Sequence, residues 1–246
     1  MMDTTMKKSK SVTYLVAILA SCFTVSSALA DEGVIRVKAG LGFASYSAPY
    51  GNNEISTNYI TQGLGATYIW PSNVFVDIST KSSTKSSAYN ARNVFGGLVT
   101  TDQPFSRTEN TLTLGKSIEN SVQINTGIFT ADTVFNLAQY GQFSQKMIGL
   151  TAGAGKGFLI DEGRAGSIGV SGTVALLNAK NSDRFGVVTN SNLSYGLSLG
   201  AVYNYALTKS LSVLADAKFQ TYLITYPGFS GDERILSTSV SLLAQF

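Results

Sequence analysis

No histidine occurs anywhere in the 246 residues of this chain. Imidazole is the side chain best suited to shuttle a proton near neutral pH, so catalysis built on a histidine base is excluded. The one cysteine, Cys22, lies in the N-terminal leader, which also excludes a metal site assembled from histidine and cysteine. The carboxylates are scattered, and neither a metal nor any other cofactor is expected. Charged residues make up only 13% of the chain and form no basic patch of the kind that binds nucleic acid. Glycine is plentiful, yet GLGF (40–43), GLGAT (63–67) and AGAGKG (152–157) all miss the phosphate-loop pattern, and AGAGKGF lacks the Ser or Thr that should follow Gly-Lys. Past the leader, no run approaches the roughly 20 apolar residues of a spanning helix.

The leader itself has a basic start (Lys7, Lys8, Lys10), an apolar run from about Val12 to Ala20, and small residues before Ala30. These are the three parts of a secretory signal peptide, with cleavage expected between Ala30 and Asp31. Leu19-Ala20-Ser21-Cys22 offers a competing lipobox, in which Cys22 would become a lipidated N-terminus. Cleavage after Ala30 leaves residues 31–246 as one domain without cysteine. The charge balance then falls from 18 basic against 15 acidic residues to 15 against 14, so the basic pI derives largely from the leader.

What the remainder has in abundance is period-two alternation, the signature of half-buried strands. IRVKAGLGF (35–43) sets Ile35, Val37, Ala39, Leu41 and Phe43 against Arg36, Lys38, Gly40 and Gly42. YITQGLGATYIW (59–70) sets Leu64, Ala66, Tyr68 and Trp70 against Thr61, Gly63, Gly65 and Thr67. NVFVDIST (73–80) continues after the turn at Pro71-Ser72-Asn73. Further strands are expected over 107–115, 121–130, 146–158, 167–177, 194–207, 211–223 and 234–246. Leu197, Leu199, Ala201, Tyr203 and Tyr205 would wind around a helix but share one face of a strand.

The connections between these ten segments alternate in rank. Those at 47–56, 81–106, 131–145, 178–193 and 224–233 are longer, and those at 71–73, 116–120, 159–166 and 208–210 are shorter. Such sorting, with an even strand count, is expected of a closed antiparallel up-and-down transmembrane β-barrel with both termini periplasmic. About 12 residues at roughly 3.3 Å each, tilted by roughly 40–45°, span about 28–30 Å, enough for the apolar band. Tyr68, Trp70, Tyr203 and Tyr205 fall near short turns, where an interfacial aromatic belt belongs.

The last strand, STSVSLLAQF (237–246), alternates into a C-terminal Phe246. This resembles the closing strand of bacterial outer-membrane β-barrel proteins of the small, ten-stranded type, and the resemblance runs as a pattern over nearly all of residues 31–246. It implies a Gram-negative outer membrane, lipid and lipopolysaccharide as surroundings, and recognition of Phe246 by the barrel assembly machinery. Small barrels of this superclass that are enzymes typically use a histidine, which this chain lacks. Three residues disturb the pattern: Leu243 on the inner parity, Ile235 near the rim, and Lys156 on the outer parity, to be re-aimed by a bulge at Gly153, Gly155 and Gly157 or to snorkel.

The inner parity collects Arg36, Lys38, Asp77, Arg107, Glu109, Asp216 and Lys218, expected to form a charge network across the lumen. Asp132, Asp183, Asp232 and Glu233 are expected in outer loops. The loop aromatics and one cation, Tyr89, Arg92, Phe95, Phe105, Phe135, Tyr140 and Phe143, would fold inward as a plug or face a partner. Ten strands enclose little more than eight, whose interior side chains can fill. The leading functional expectation is a narrow or gated pore for small solutes or ions. The alternatives are a closed-lumen surface or envelope-structural protein acting through its outer loops and, if Cys22 is acylated, a soluble barrel or sandwich on a lipid anchor.

Overall fold

The computed structural model describes residues 33–50, 53–84, 89–92, 98–101, 105–118, 121–137, 141–160, 166–183 and 185–246. The leader, and with it the signal-peptide and Cys22 readings, lies outside them. The strands are β1 (Val34–Tyr50), β2 (Asn53–Ile69), β3 (Val74–Ser83), β4 (Tyr89–Arg92), β5 (Leu98–Thr101), β6 (Phe105–Ile118), β7 (Val122–Leu137), β8 (Gly141–Leu159), β9 (Gly166–Ser182), β10 (Val188–Asn190), β11 (Ser194–Ala206), β12 (Leu211–Tyr226) and β13 (Phe229–Gln245). Ten of them form one antiparallel ring in the order β1-β13-β12-β11-β9-β8-β7-β6-β3-β2, closed by β1 against β2. The short β4 and β5 extend the sheet from β2, and β10 pairs with β9. No described helix is long and apolar enough to cross a membrane, which says nothing about crossing by strands.

Closure leaves the ring without a free edge strand, a requirement for any backbone placed in lipid. The seam is tied to the very end of the chain: the amide of Phe246 donates to the Ile35 carbonyl at 2.9 Å, and that of Ile35 donates back at 3.1 Å. Both described ends of the chain therefore lie at the same mouth, with the short connections at 70–73, 119–121, 160–165 and 207–210. We call this the terminal mouth and the opposite one the loop mouth. Asn73 and Ser121 hold positive φ angles of 60° in two of these turns, a conformation that Asn tolerates better than most residues.

The outward face carries the aliphatic residues. Leu41, Phe43, Ile78, Leu112, Leu114, Leu150, Val174, Leu199, Leu236, Val240 and Leu242 are all exposed, Leu41 by 63%. In a water-soluble protein such a belt would be an aggregation hazard, whereas in a bilayer it is the lipid contact. The belt ends abruptly toward the loop mouth. Moving two residues along each strand, Leu112 gives way to Asn110, Ile128 to Thr130, Ile148 to Lys146, Leu176 to Asn178 and Leu236 to Arg234. Beyond that line the phase largely inverts: most outward positions are polar, with Leu223 an exception, and large apolar side chains turn into the barrel.

This inversion overturns part of the loop expectation. Segments 47–56, 131–145 and 224–233 are not long loops; strand pairing continues through them to short connections at 51–52, 138–140 and 227–228. The pairing persists because Tyr46, Phe135 and Tyr226 gain a lumenal core to pack in. Asp132, Asp232 and Glu233 are accordingly strand residues, and Glu233 faces inward. Phe105, Phe135 and Phe143 also stand on strands. Ile235 is not an irregularity at the rim but a buried member of that core. Lys156 keeps its outward position: the register of β8 with both neighbours is unbroken through Gly153, Gly155 and Gly157, so no bulge re-aims it. Its ammonium lies 5.3 Å from the Phe158 ring centre, a cation–π contact at the terminal rim.

Candidate functional site

The lumen has two parts. Toward the loop mouth it is filled. Tyr46 and Tyr59 pack on Phe105 with ring centres 5.4 and 4.9 Å away, and Phe129 stacks on Tyr222 at 5.7 Å. Ala44, Ala131, Phe135, Met147, Ala175, Leu177, Ala179, Ile224, Tyr226 and Ile235 complete this buried cluster, with Phe143 packed against it. Each comes from the inward parity of its strand, and together the strands of the ring supply a core that an eight- to ten-stranded barrel has room to hold.

At the centre of the filling sits Arg107 of β6. Its Nε donates to Glu109 Oε1 at 2.9 Å and its Nη1 to Thr133 Oγ1 at 2.6 Å. Nη1 also lies 2.7 Å from Glu233 Oε1, an ion pair without hydrogen-bond alignment in which both side chains are 1% exposed. The Tyr46 hydroxyl donates to the other Glu233 oxygen at 3.3 Å, and the guanidinium carbon lies 5.6 Å from the Tyr46 ring centre. Two carboxylates, a hydroxyl and an aromatic face thus compensate one buried cation. Arg107 Nη2 has no hydrogen-bond partner. Beside the triad is a void of about 10 Å³ lined by Lys81, Arg107, Glu109 and Gln220, roughly the space of a single water.

Toward the terminal mouth the lumen is open. A cavity of about 1120 Å³ is rimmed by Ser72, Asn73, Ser117 and Ser121 and walled by small residues such as Gly65, Thr67, Gly155, Ser171 and Gly200. Arg36, Lys38, Asp77, Asp216 and Lys218 project into it, with Leu243 among them. Thr67 Oγ1 donates to Asp77 Oδ1 at 2.6 Å, the Ser239 hydroxyl donates to Asp216, and Arg36 Nε donates to Gln245 Oε1 at 2.9 Å.

The seven lumenal charges expected from the sequence all face inward, but they do not make one network. Among the described residues, Arg107 and Glu109 are ion-paired, and none of Arg36, Lys38, Asp77, Asp216 and Lys218 has an ion pair. Size explains the split: the cavity keeps these five apart and wet, while the plug presses its charges together. The central partner, Glu233, falls in a segment that the sequence pattern reads as a loop. Counting parity back from Phe246 would have placed it inward, beside Ile235 and Ser237. Lys81, also assigned to a loop, continues the inward parity of Asp77 and Ser79 on β3. Of the seven loop candidates, Phe105 and Phe135 are in the plug and Phe143 packs against it. The backbones of Tyr89 and Arg92 form β4, their side chains lie outside the described residues, and so do Phe95 and Tyr140 altogether. Asp183 does sit in a connection, its carboxylate accepting from the amides of Phe185 and Val187 at 2.9 Å each. Among the described residues, no group of three or more His, Cys, Asp or Glu could hold a metal ion.

No family model matches the chain, and no curated protein matches it. Solved structures do. The outer membrane protease OmpT from Escherichia coli superimposes with a TM-score of 0.60 at 9% identity, over 88% of this chain and 97% of that one. The translocator domain of the autotransporter NalP from Neisseria meningitidis gives 0.47 at 11% identity, over 99% and 100%. Neisserial surface protein A gives 0.41 at 15% identity, over 87% and 100%. The likeness to the protease is one of fold: this chain is a closed, antiparallel, ten-stranded barrel of the bacterial outer-membrane type.

Proposed function

We propose that this chain is a non-enzymatic barrel of a Gram-negative outer membrane whose lumen is shut by its own side chains. It serves the envelope as a structural or surface-interaction module, not as an open conduit. The observation that carries this reading is the buried layer from Tyr46 and Phe105 through Arg107 and Glu233 to Tyr222 and Leu177, which crosses the lumen. A narrow pore, the leading expectation from the sequence, would need that layer to be wet.

In this reading a signal peptide is removed near Ala30, the terminal mouth faces the periplasm, and the exposed aliphatic belt meets lipid and lipopolysaccharide. Phe246 is the contact for the barrel assembly machinery. The fold neighbour is a protease, but a chain without histidine lacks the usual proton carrier for hydrolysis near neutral pH.

Single-channel recording of the refolded chain in planar bilayers tests the proposal. Silence from protein shown to be inserted is the expected result, and a steady open level in the wild type would overturn it. One observation favours a second reading, a gated pore. The plug is partly ionic, although replacing a buried ion pair with well-packed apolar residues is often neutral or stabilising. A gate would show brief openings that become longer in Glu233→Gln, whereas a structural plug would stay silent in both forms.

A further inference from the structure

We infer that the blind cavity at the terminal mouth is a binding site for a small, soluble oxyanion, a solute carrying a phosphate or carboxylate group. This goes beyond the closed-barrel reading, since a sealed lumen can hold a ligand without passing it.

The inference rests first on how the charges are satisfied. Five charged side chains face the cavity, Arg36 and Lys38 from β1, Asp77 from β3, and Asp216 and Lys218 from β12. Both carboxylates have a hydroxyl donor, Thr67 for Asp77 and Ser239 for Asp216. The cations are left open. Arg36 is held at Nε by Gln245, and its terminal nitrogens make no hydrogen bond to the described protein. That leaves a fixed fork of donors pointing at the cavity, the geometry that grips a carboxylate or phosphate by two oxygens. Lys38 and Lys218 have neither an ion pair nor a hydrogen bond to a described side chain.

The second support is what stands around them. Behind the cavity floor Arg107 ion-pairs with both Glu109 and Glu233, and its single charge offsets one of the two carboxylates. Lys81, beside Glu109, offsets the other, so the plug contributes no net charge and the excess cation belongs to the cavity. The opposite wall, from β8, β9 and β11, projects no charged side chain into the cavity, Lys156 bordering it from an outward-facing position: Gly155, Ser171 and Gly200 leave space there in place of side chains. A volume of about 1120 Å³ is ample for a small organic anion. The closed wall admits it from the terminal mouth, not from the bilayer. Three cations against two hydroxyl-bound carboxylates set the sign of the preferred guest.

The test uses the full mature barrel refolded in an uncharged maltoside detergent, with inorganic phosphate as the probe, followed by phosphorus NMR line broadening, and citrate as competitor. Saturable binding displaced by citrate is expected. It should weaken at least five-fold in Lys38→Gln/Lys218→Gln and in Arg36→Gln, strengthen in Asp77→Asn, and stay unchanged in Lys146→Gln, whose side chain faces outward near the loop mouth. Barrel closure in each variant is checked by its heat-dependent gel mobility. Absence of saturable phosphate binding by closed wild-type barrel would overturn the site, as would equal binding in the lysine variants or equal affinity for tetramethylammonium. The outcome is independent of conductance, so failure here leaves the closed-barrel reading standing, and steady conductance would not by itself remove the site.

Discussion

Arg107 on β6 and Glu233 on β13 meet at 2.7 Å across the lumen, although three strands, β1, β2 and β3, separate them around the ring. They are the plug's cross-brace. Strand pairing fixes neighbours only, whereas this contact ties two sides of the wall through the interior. Glu109 shares the cation but is less deeply buried, so Glu233 is the carboxylate that depends on it most.

Removing the cation should therefore cost more than removing the pair. Arg107→Ala strands Glu233 in a dry site and is expected to destabilise the barrel by about 3–5 kcal/mol. Arg107→Met/Glu233→Leu, which keeps the volume apolar, should recover most of that loss. Urea unfolding of protein folded into lipid vesicles measures both, and equal stability of the single and double variants would show that the pair is not coupled.

The outward belt supplies a second test. Leu41 stands in the middle of the exposed aliphatic face. In a bilayer, Leu41→Arg should cost about 2–4 kcal/mol, the depth-dependent penalty for a cation on a lipid-facing strand. Arginine at Asn110, already beyond the belt, should cost no more than about 1 kcal/mol. Equal effects at the two positions in vesicle unfolding would mean that the belt does not mark the membrane.

The terminal half of the barrel was legible in the sequence because its two faces differ sharply there: Leu41 and Val240 outside, Gly40 and Ser241 inside. Its strands, its closure and the inward sense of Arg36, Lys38, Asp77, Asp216 and Lys218 follow from parity alone. The loop half was not legible, because the contrast inverts. Lys146, Lys180 and Arg234 face outward while Met147, Leu177 and Ile235 face inward, so a rule of apolar residues outward reads those segments as loops. Parity survives the inversion even though hydropathy does not. Parity therefore sets Arg107 and Glu109 inward, while the hydropathy rule puts their partner Glu233 in a loop. Distance was beyond the sequence altogether: nothing in the spacing separates charges that touch, as at Arg107, from charges that a wide cavity holds apart.

Glycine placement predicts where the wall resists a side chain. A Cβ at Gly40 would lie 2.6 Å from the Val240 carbonyl oxygen and against the Ser241 hydroxyl, whereas at Gly63 the nearest atom is 3.7 Å away. Gly40→Ala must therefore push β1 from β13 and should cost about 1–3 kcal/mol, as overpacking generally does. Gly63→Ala should be nearly neutral. The same vesicle unfolding assay decides, and a tolerant Gly40 would mean that the seam has slack.

That seam is also where the chain ends, and this separates two roles of Phe246. Its backbone closes the ring through the paired hydrogen bonds with Ile35, and any residue except proline can make them at that position. Its aromatic side chain is what the resemblance assigns to assembly in the cell. Phe246→Ala should then refold in detergent to a closed barrel with near wild-type stability, while its yield in the outer membrane of living cells falls several-fold. Deleting Phe246 removes the hydrogen bonds as well and should lower stability in vitro by about 1–3 kcal/mol, the scale of a small number of backbone hydrogen bonds. Membrane fractionation with gel mobility reads the first effect and urea unfolding the second. If Phe246→Ala reaches the membrane at wild-type levels, the terminal ring is not the assembly signal, and the alternation of Leu236, Val240 and Leu242 is the remaining candidate.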